Sequence, residues 1–348
     1  MRERSEGAGN QVLIGVVGYG YWGSKHVRVL AGLPDVDVVV VEADPGRLAE
    51  ARRAHGAIST TTSLDAVLPD LDAVVVATPP SSHAALALRV IAAGKGVLVE
   101  KPLATSVADA EAMVALAAER GVCLMAGHTF EYNPAVWKLK ELVTSGELGR
   151  ILYIDTARLD LGRYQNDCNV IWDLAPHDIS IVSYLLDELP DTTSVWARRH
   201  VGLRHSDVAY VQMTFARNEV DAYVHVSWLD PCKVRRVTVV GERKMAVYND
   251  LSDNERVRVY DIGVDALDSD DVHAMPVSYR NGDIVSPYVQ FAEPLLVQNT
   301  HFVECLRSGL PPATPGERGL DIVRVLAATD AAARIRTEVA LETLGPAS

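Results

Sequence analysis

Several things that would announce a function are missing from this sequence. No stretch approaches the ~20 consecutive apolar residues of a membrane helix, although 48% of the 348 residues are apolar. Cysteine is scarce: Cys123, Cys168, Cys232 and Cys305 stand far apart and form no Cys-x-x-Cys, which argues against a disulfide scaffold or a zinc ribbon. Positive charge is short, with 33 Lys plus Arg against 46 Asp plus Glu and a net charge of −13. An acidic surface argues against general nucleic-acid binding, which replaces counterions with protein cations. Residues 1–10 are polar and lack the apolar core of a signal peptide, so they read as a flexible tail on a cytoplasmic protein.

What is present is a strand–helix alternation over the first ~130 residues. Apolar, β-branched runs at 12–17, 36–41, 73–77, 97–99 and 122–126 suit parallel strands covered on both faces. Between them Ala84, Leu88, Ile91 and Ala92 keep helical spacing, as do Ala110, Met113, Val114 and Ala117 behind a Ser106/Asp109 capping pair. This pattern predicts an α/β fold with a doubly wound Rossmann sheet over residues 11–128. From 129 to 348 the pattern changes. Strands at 152–159, 194–199, 208–215, 222–228, 234–240 and 257–260, with helices near 173–186, 294–307 and 317–338, predict an α+β domain on a large open, mostly antiparallel sheet. Val224, Val226 and Trp228 read as apolar positions on its uncovered face, which makes that face the expected contact of a homodimer or homotetramer.

The first strand runs into Gly18-Tyr19-Gly20-Tyr21-Trp22-Gly23. A GxGxxG between a strand and a helix is the dinucleotide fingerprint: the glycines make the turn, admit the pyrophosphate and let helix and strand pack. Free N–H groups at the helix N-terminus then face the phosphates. Glu42 closes the second strand and stands where an acid bonds the adenosine ribose, and Ala43 beside it offers no cation to a 2′-phosphate. NAD is therefore expected over NADP. Ala77-Thr78-Pro79 ends the third of these strands at the same crevice, and His83 follows as a possible cofactor contact.

Glu100-Lys101-Pro102 ends the fourth. Packing does not explain a lysine directly after a buried apolar run. Beside the nicotinamide its charge can polarise a hydroxyl or carbonyl, with Glu100 expected to hold it in place. Asp173 and His177 share one helix face at i, i+4, and a histidine exchanges a proton near neutrality. Arg158, Arg163, Tyr164 and Asn169, just before that helix, are candidate contacts for a diphosphate or for sugar hydroxyls. An Asp–His pair without a third ligand is a poor zinc site, so no metal is expected.

The GxGxxG, Ala77-Thr78-Pro79, Glu100-Lys101-Pro102, Gly127-His128 followed by Asn133-Pro134, Ser145-Gly146-Glu147-Leu148-Gly149 and Asp173-(x)3-His177 occur in that order. From about residue 11 to residue 338 the chain resembles the Gfo/Idh/MocA family of sugar and polyol oxidoreductases. The resemblance implies a catalytic Lys101, with Asp173 and His177 beside it, acting on a small-molecule sugar. The approach Trp172-Asp173-Leu174-Ala175-Pro176-His177-Asp178 is similar to the branch that oxidises nucleotide sugars at C3, related to enzymes of aminoglycoside rings. An inositol or polyol dehydrogenase is the alternative enzyme. A cofactor-sensing regulatory protein is the non-enzyme alternative.

Overall fold

The structure, a computed structural model, describes residues 11–56, 58–162, 164–165, 167–201, 204–266 and 277–335. The tail 1–10, Arg163 and the end of the last expected helix lie outside the described residues.

Six strands form the first sheet: β1 (Val12–Val17), β2 (Val36–Val41), β3 (Ser59–Thr61), β4 (Ala73–Val76), β5 (Gly96–Glu100) and β6 (Leu124–Gly127). All pair in parallel, in the order β3-β2-β1-β4-β5-β6. The order reverses between β1 and β4, so a crevice opens beyond the carboxyl ends of those two strands. Helices α1 (Tyr21–Leu30), α2 (Pro45–His55), α3 (His83–Ala92) and α4 (Val107–Arg120) cover the sheet. Their ends follow local chemistry. Asp44 caps α2, accepting from the Gly46 and Arg47 amides. Ser106 and Asp109 form the expected cap of α4, and Gly121 ends that helix at φ +61°. The one strand not expected is β3, a polar three-residue edge.

The second sheet has eight strands: β7 (Ile151–Leu161), β8 (Thr192–Arg198), β9 (Val208–Phe215), β10 (Val220–Ser227), β11 (Leu229–Gly241), β12 (Met245–Asn249), β13 (Val257–Ala266) and β14 (Val277–Val285). Their order is β14-β13-β12-β11-β7-β10-β9-β8. Every pair is antiparallel except β7 with β10. β12 and β14 were not expected. Helices α5 (Pro134–Thr144) and α6 (Val170–Leu186) pack on one face.

That packing corrects the expected oligomer face. Val224, Val226 and Trp228 are almost wholly buried, on the side that α6 covers. Strand side chains alternate, so the other face carries Tyr153, Trp196, Tyr210, Tyr223 and His225. Tyr210 stacks on His225 with centroids 4.0 Å apart.

The last two helices, α7 (Pro294–Ser308) and α8 (Gly316–Arg334), return to the first sheet. α7 packs on α1, and α8 packs on α4 and β6. Gly319 allows the close approach of α8: a Cβ there would stand 2.8 Å from the Leu103 side chain and 2.9 Å from that of Ala126. The two sheets are therefore joined by more than the single run of chain between β6 and β7.

Candidate active site

The glycine turn has the geometry of a nucleotide cradle. Gly18 has φ +92°, and a Cβ there would stand 2.7 Å from the Ala77 carbonyl oxygen. A Cβ on Gly23 would stand 1.9 Å from the Gly18 carbonyl oxygen. These two glycines serve packing. Gly20 differs: the nearest atom to its Cβ would be an Arg47 Nη1 at 3.9 Å. Its bare backbone faces open space at the start of α1, which has no side-chain cap and no acid in its first turn. Unsatisfied amides there suit a pyrophosphate, so these residues fit a dinucleotide.

Glu42 reaches back to the turn. Its carboxylate accepts the Tyr19 amide at 2.7 Å and the Asp44 amide at 3.0 Å. The fold also brings the half-exposed Arg47 to 3.8 Å from that carboxylate. Tyr19 is buried edge-on against His55, whereas Tyr21 is exposed under the Lys25 ammonium. Trp22 lies edge-on to Tyr21. At the end of β4, Ala77 bonds back to Val17, and Thr78 and Ser82 join their hydroxyls over Pro79.

Lys101 bridges the two domains. Its Nζ donates to the Asp173 carbonyl oxygen at 2.5 Å and lies 3.4 Å from Asp173 Oδ1. The other Asp173 oxygen accepts the Trp228 indole N–H at 3.0 Å. One turn along α6, His177 is buried edge-on against Phe130, with centroids 5.0 Å apart. Its Nδ1 has no hydrogen-bond partner. Burial, then the charges of Lys101, Arg158 and Arg235, hold its pKa well below the ordinary histidine value, so the ring is a neutral base at pH 7. Pro176 just before it offers no N–H to the carbonyl of Trp172.

A cavity of about 270 Å³ lies over Lys101 and Asp173, lined also by Pro80, Asn169, Trp172 and His205 among others; the buried His177, one turn along α6, is not part of its lining. A larger one, about 850 Å³ between α7, α8 and the end of α6, includes none of Lys101, Asp173 and His177. The smaller is the candidate site, because chemistry rather than volume defines it.

Five expected contacts have partners within the protein. His83 is buried, with Nδ1 2.8 Å from the Pro102 carbonyl oxygen and Nε2 2.9 Å from that of Thr78. It fastens the lysine turn. Glu100 is buried and does not hold the Lys101 ammonium; its Oε1 meets His26 Nε2 at 2.9 Å. Arg158 is buried in a two-pronged pair with Asp178, at 2.7 and 3.1 Å, over the Phe130 ring. It forms the floor behind His177. Asn169 caps α6 through the Ile171 and Trp172 amides and donates to Asp330, which also holds the Trp172 indole. Tyr164 packs on Trp228, 5.3 Å between centroids.

Three residues had no sequence signal: His26, Asp330 and His205. His128, quoted only within a motif, is wholly buried with neither ring nitrogen partnered; burial takes its pKa down to about 3. Among the described residues no three His, Cys, Asp or Glu side chains gather as a metal site, and no helix is long and apolar enough to cross a membrane.

Residues 12–128 match the family model for the oxidoreductase family with an NAD-binding Rossmann fold. Residues 140–341 match its C-terminal alpha/beta domain. The chain belongs to the Gfo/Idh/MocA oxidoreductase family. It is 30% identical over 242 residues to an inositol 2-dehydrogenase of Saccharopolyspora erythraea, covering 66% of this chain and 71% of that one. It is 32% identical over 177 residues to the UDP-N-acetylglucosamine 3-dehydrogenase of Acidithiobacillus ferrooxidans, covering 51% and 55%. The first curated relatives are matched over only 53–63% of their own length. In fold the chain is similar to the crystal structure of GenD2 from gentamicin A biosynthesis in complex with NAD, with a TM-score of 0.79, 24% identity, and 96% and 97% of the two chains covered.

Proposed function

We propose that this protein is an NAD-dependent dehydrogenase or ketoreductase that interconverts a secondary hydroxyl and a ketone on a sugar, at C3 of a nucleotide sugar or of an aminoglycoside ring. The observation that carries this reading is the Lys101–Asp173 contact with His177 one turn away. A fixed ammonium, with a neutral imidazole one turn along the helix that holds it, supplies the charge and the proton acceptor that alcohol–ketone chemistry requires of a protein. When bound, the nicotinamide supplies the redox chemistry by taking or giving a hydride.

The protein's part is positioning and proton transfer. Lys101 donates to the reacting oxygen and stabilises negative charge on it. His177 Nδ1 is sealed in the interior, which leaves Nε2 to take the hydroxyl proton in oxidation and return it in reduction. Asp173 holds the ammonium by charge and by its carbonyl oxygen. The Trp228 indole fixes the carboxylate in turn. Glu42 at the ribose end favours NAD over NADP. The aromatic open face of the second sheet is the proposed contact of a homodimer or homotetramer.

The inositol dehydrogenase relative favours a second substrate, a cyclic polyol, with the same residues in the same roles. A panel of nucleotide sugars, aminoglycosides, free sugars and inositols, followed by NADH absorbance, separates the two. Turnover of a sugar with a C3 ketone as product supports the first reading, and turnover of inositols alone supports the second. No turnover of any of them defeats both.

A further inference from the structure

At the end of β5, side chains point alternately to opposite sides. Lys101 projects to the crevice, and the preceding Glu100 projects to α1. There a buried line of three polar side chains crosses three elements. His26 of α1 sets Nε2 2.9 Å from Glu100 Oε1 and Nδ1 3.0 Å from Asn299 Oδ1 of α7. His26 and Asn299 have no solvent exposure, and Glu100 is 5% exposed. The amide orientation is fixed, because Asn299 Nδ2 donates to the Leu295 carbonyl oxygen. Both ring nitrogens thus face oxygen acceptors, and the line is satisfied only by two hydrogens shared among the three groups.

A buried ionisable line of this kind is a poor way to gain stability, since apolar residues of similar volume commonly do as well or better. Its use lies in the second carboxylate oxygen. Glu100 Oε2 accepts the Lys101 backbone N–H at 3.2 Å. Glu100 therefore holds the lysine backbone, and His26 holds Glu100 from the helix whose N-terminus carries the glycine turn.

We propose that His26 is a positioning residue for Lys101, acting through Glu100 and anchored by Asn299. It sets the catalytic ammonium in register with the cofactor-binding helix. The proposal rests on the assignment of Lys101 made above.

Two substitutions separate positioning from packing. His26→Gln places an amide N–H near the position of Nε2 and keeps the bond to Glu100. His26→Asn reaches only toward Asn299. Each is measured for kcat and KM on the best substrate of the panel, for NADH affinity by fluorescence and for thermal midpoint. The expected result is a kcat at least about tenfold lower in the Asn variant, since displacements near 1 Å cost up to about a hundredfold. The Gln variant should stay within about threefold of the parent, with NADH affinity nearly unchanged in both. Equal kcat in the two variants, or losses that follow the thermal midpoint, would overturn the proposal. If the Asn variant does not fold, Glu100→Ala takes its place: a parental kcat overturns the proposal, and a tenfold loss with NADH binding intact supports it. Full turnover by Lys101→Ala in the same assay would instead defeat the assignment of the lysine.

Discussion

The Lys101 ammonium lies 2.5 Å from the Asp173 carbonyl oxygen and 3.4 Å from its carboxylate, so a residue of the first sheet is held by the first turn of a helix on the second. The contact crosses the domain boundary at the crevice. Its geometry depends on Trp228, whose indole N–H occupies the other carboxylate oxygen.

Trp228→Phe removes that N–H and leaves the carboxylate free to turn. We expect kcat to fall about threefold to tenfold with NADH affinity unchanged, and stability to fall by about 1–3 kcal/mol for the lost bond to a charged group. Steady-state kinetics and urea melts check this.

Arg158 and Asp178 form a buried pair behind His177, with side chains 7% and 1% exposed. Asp178→Ala leaves a guanidinium buried and unpaired, which costs about 3–5 kcal/mol. Chemical denaturation at pH 7 should show a loss of that size. An exposed pair such as Arg324–Glu111 should show little on Glu111→Ala.

His128 gives an acid-dependent term. Its folded pKa is about 3, against about 6.5 when unfolded. With the folded value depressed, its stabilising share is present above pH 6.5 and is lost as pH falls toward 3. By pH 5 the unfolded chain gains about 2 kcal/mol from protonating this residue alone. The difference in stability between pH 7 and pH 5 should therefore shrink by about that amount in His128→Leu.

The proposed NAD preference turns on Glu42 and Arg47. The carboxylate opposes a 2′-phosphate, and Arg47 stands 3.8 Å away, ready to accept one. Glu42→Ser should shift the ratio of kcat/KM for NADP over NAD upward by about tenfold or more, on the order of 1.4 kcal/mol. An unchanged ratio would place the ribose contact elsewhere.

Much of this arrangement was legible because it follows local chemistry. The strand runs, the glycine turn, the cap at Ser106 and the i, i+4 pair each depend on neighbours in sequence. What was not legible depends on contacts between elements. On β10 both parities hold large side chains, Val224 and Val226 on one and Tyr223 and His225 on the other; only the packing of α6 decides which is inside. β14 is a largely exposed strand with Arg280, Asn281 and Asp283 in it, so it shows no apolar run. Arg158 reads as a cation for a ligand until Asp178, 20 residues on, is brought to it. His26 carries no local signal, because its partners are 74 and 273 residues away.

The most direct test of the central claim is turnover by Lys101→Ala and His177→Ala, measured beside NADH binding on the same preparations. With the substrate found for the parent protein, both variants should lose at least about a thousandfold in kcat/KM, roughly 4 kcal/mol of transition-state stabilisation, while NADH affinity stays within a few-fold. Near-parental turnover in either variant, with the cofactor bound, would contradict the account.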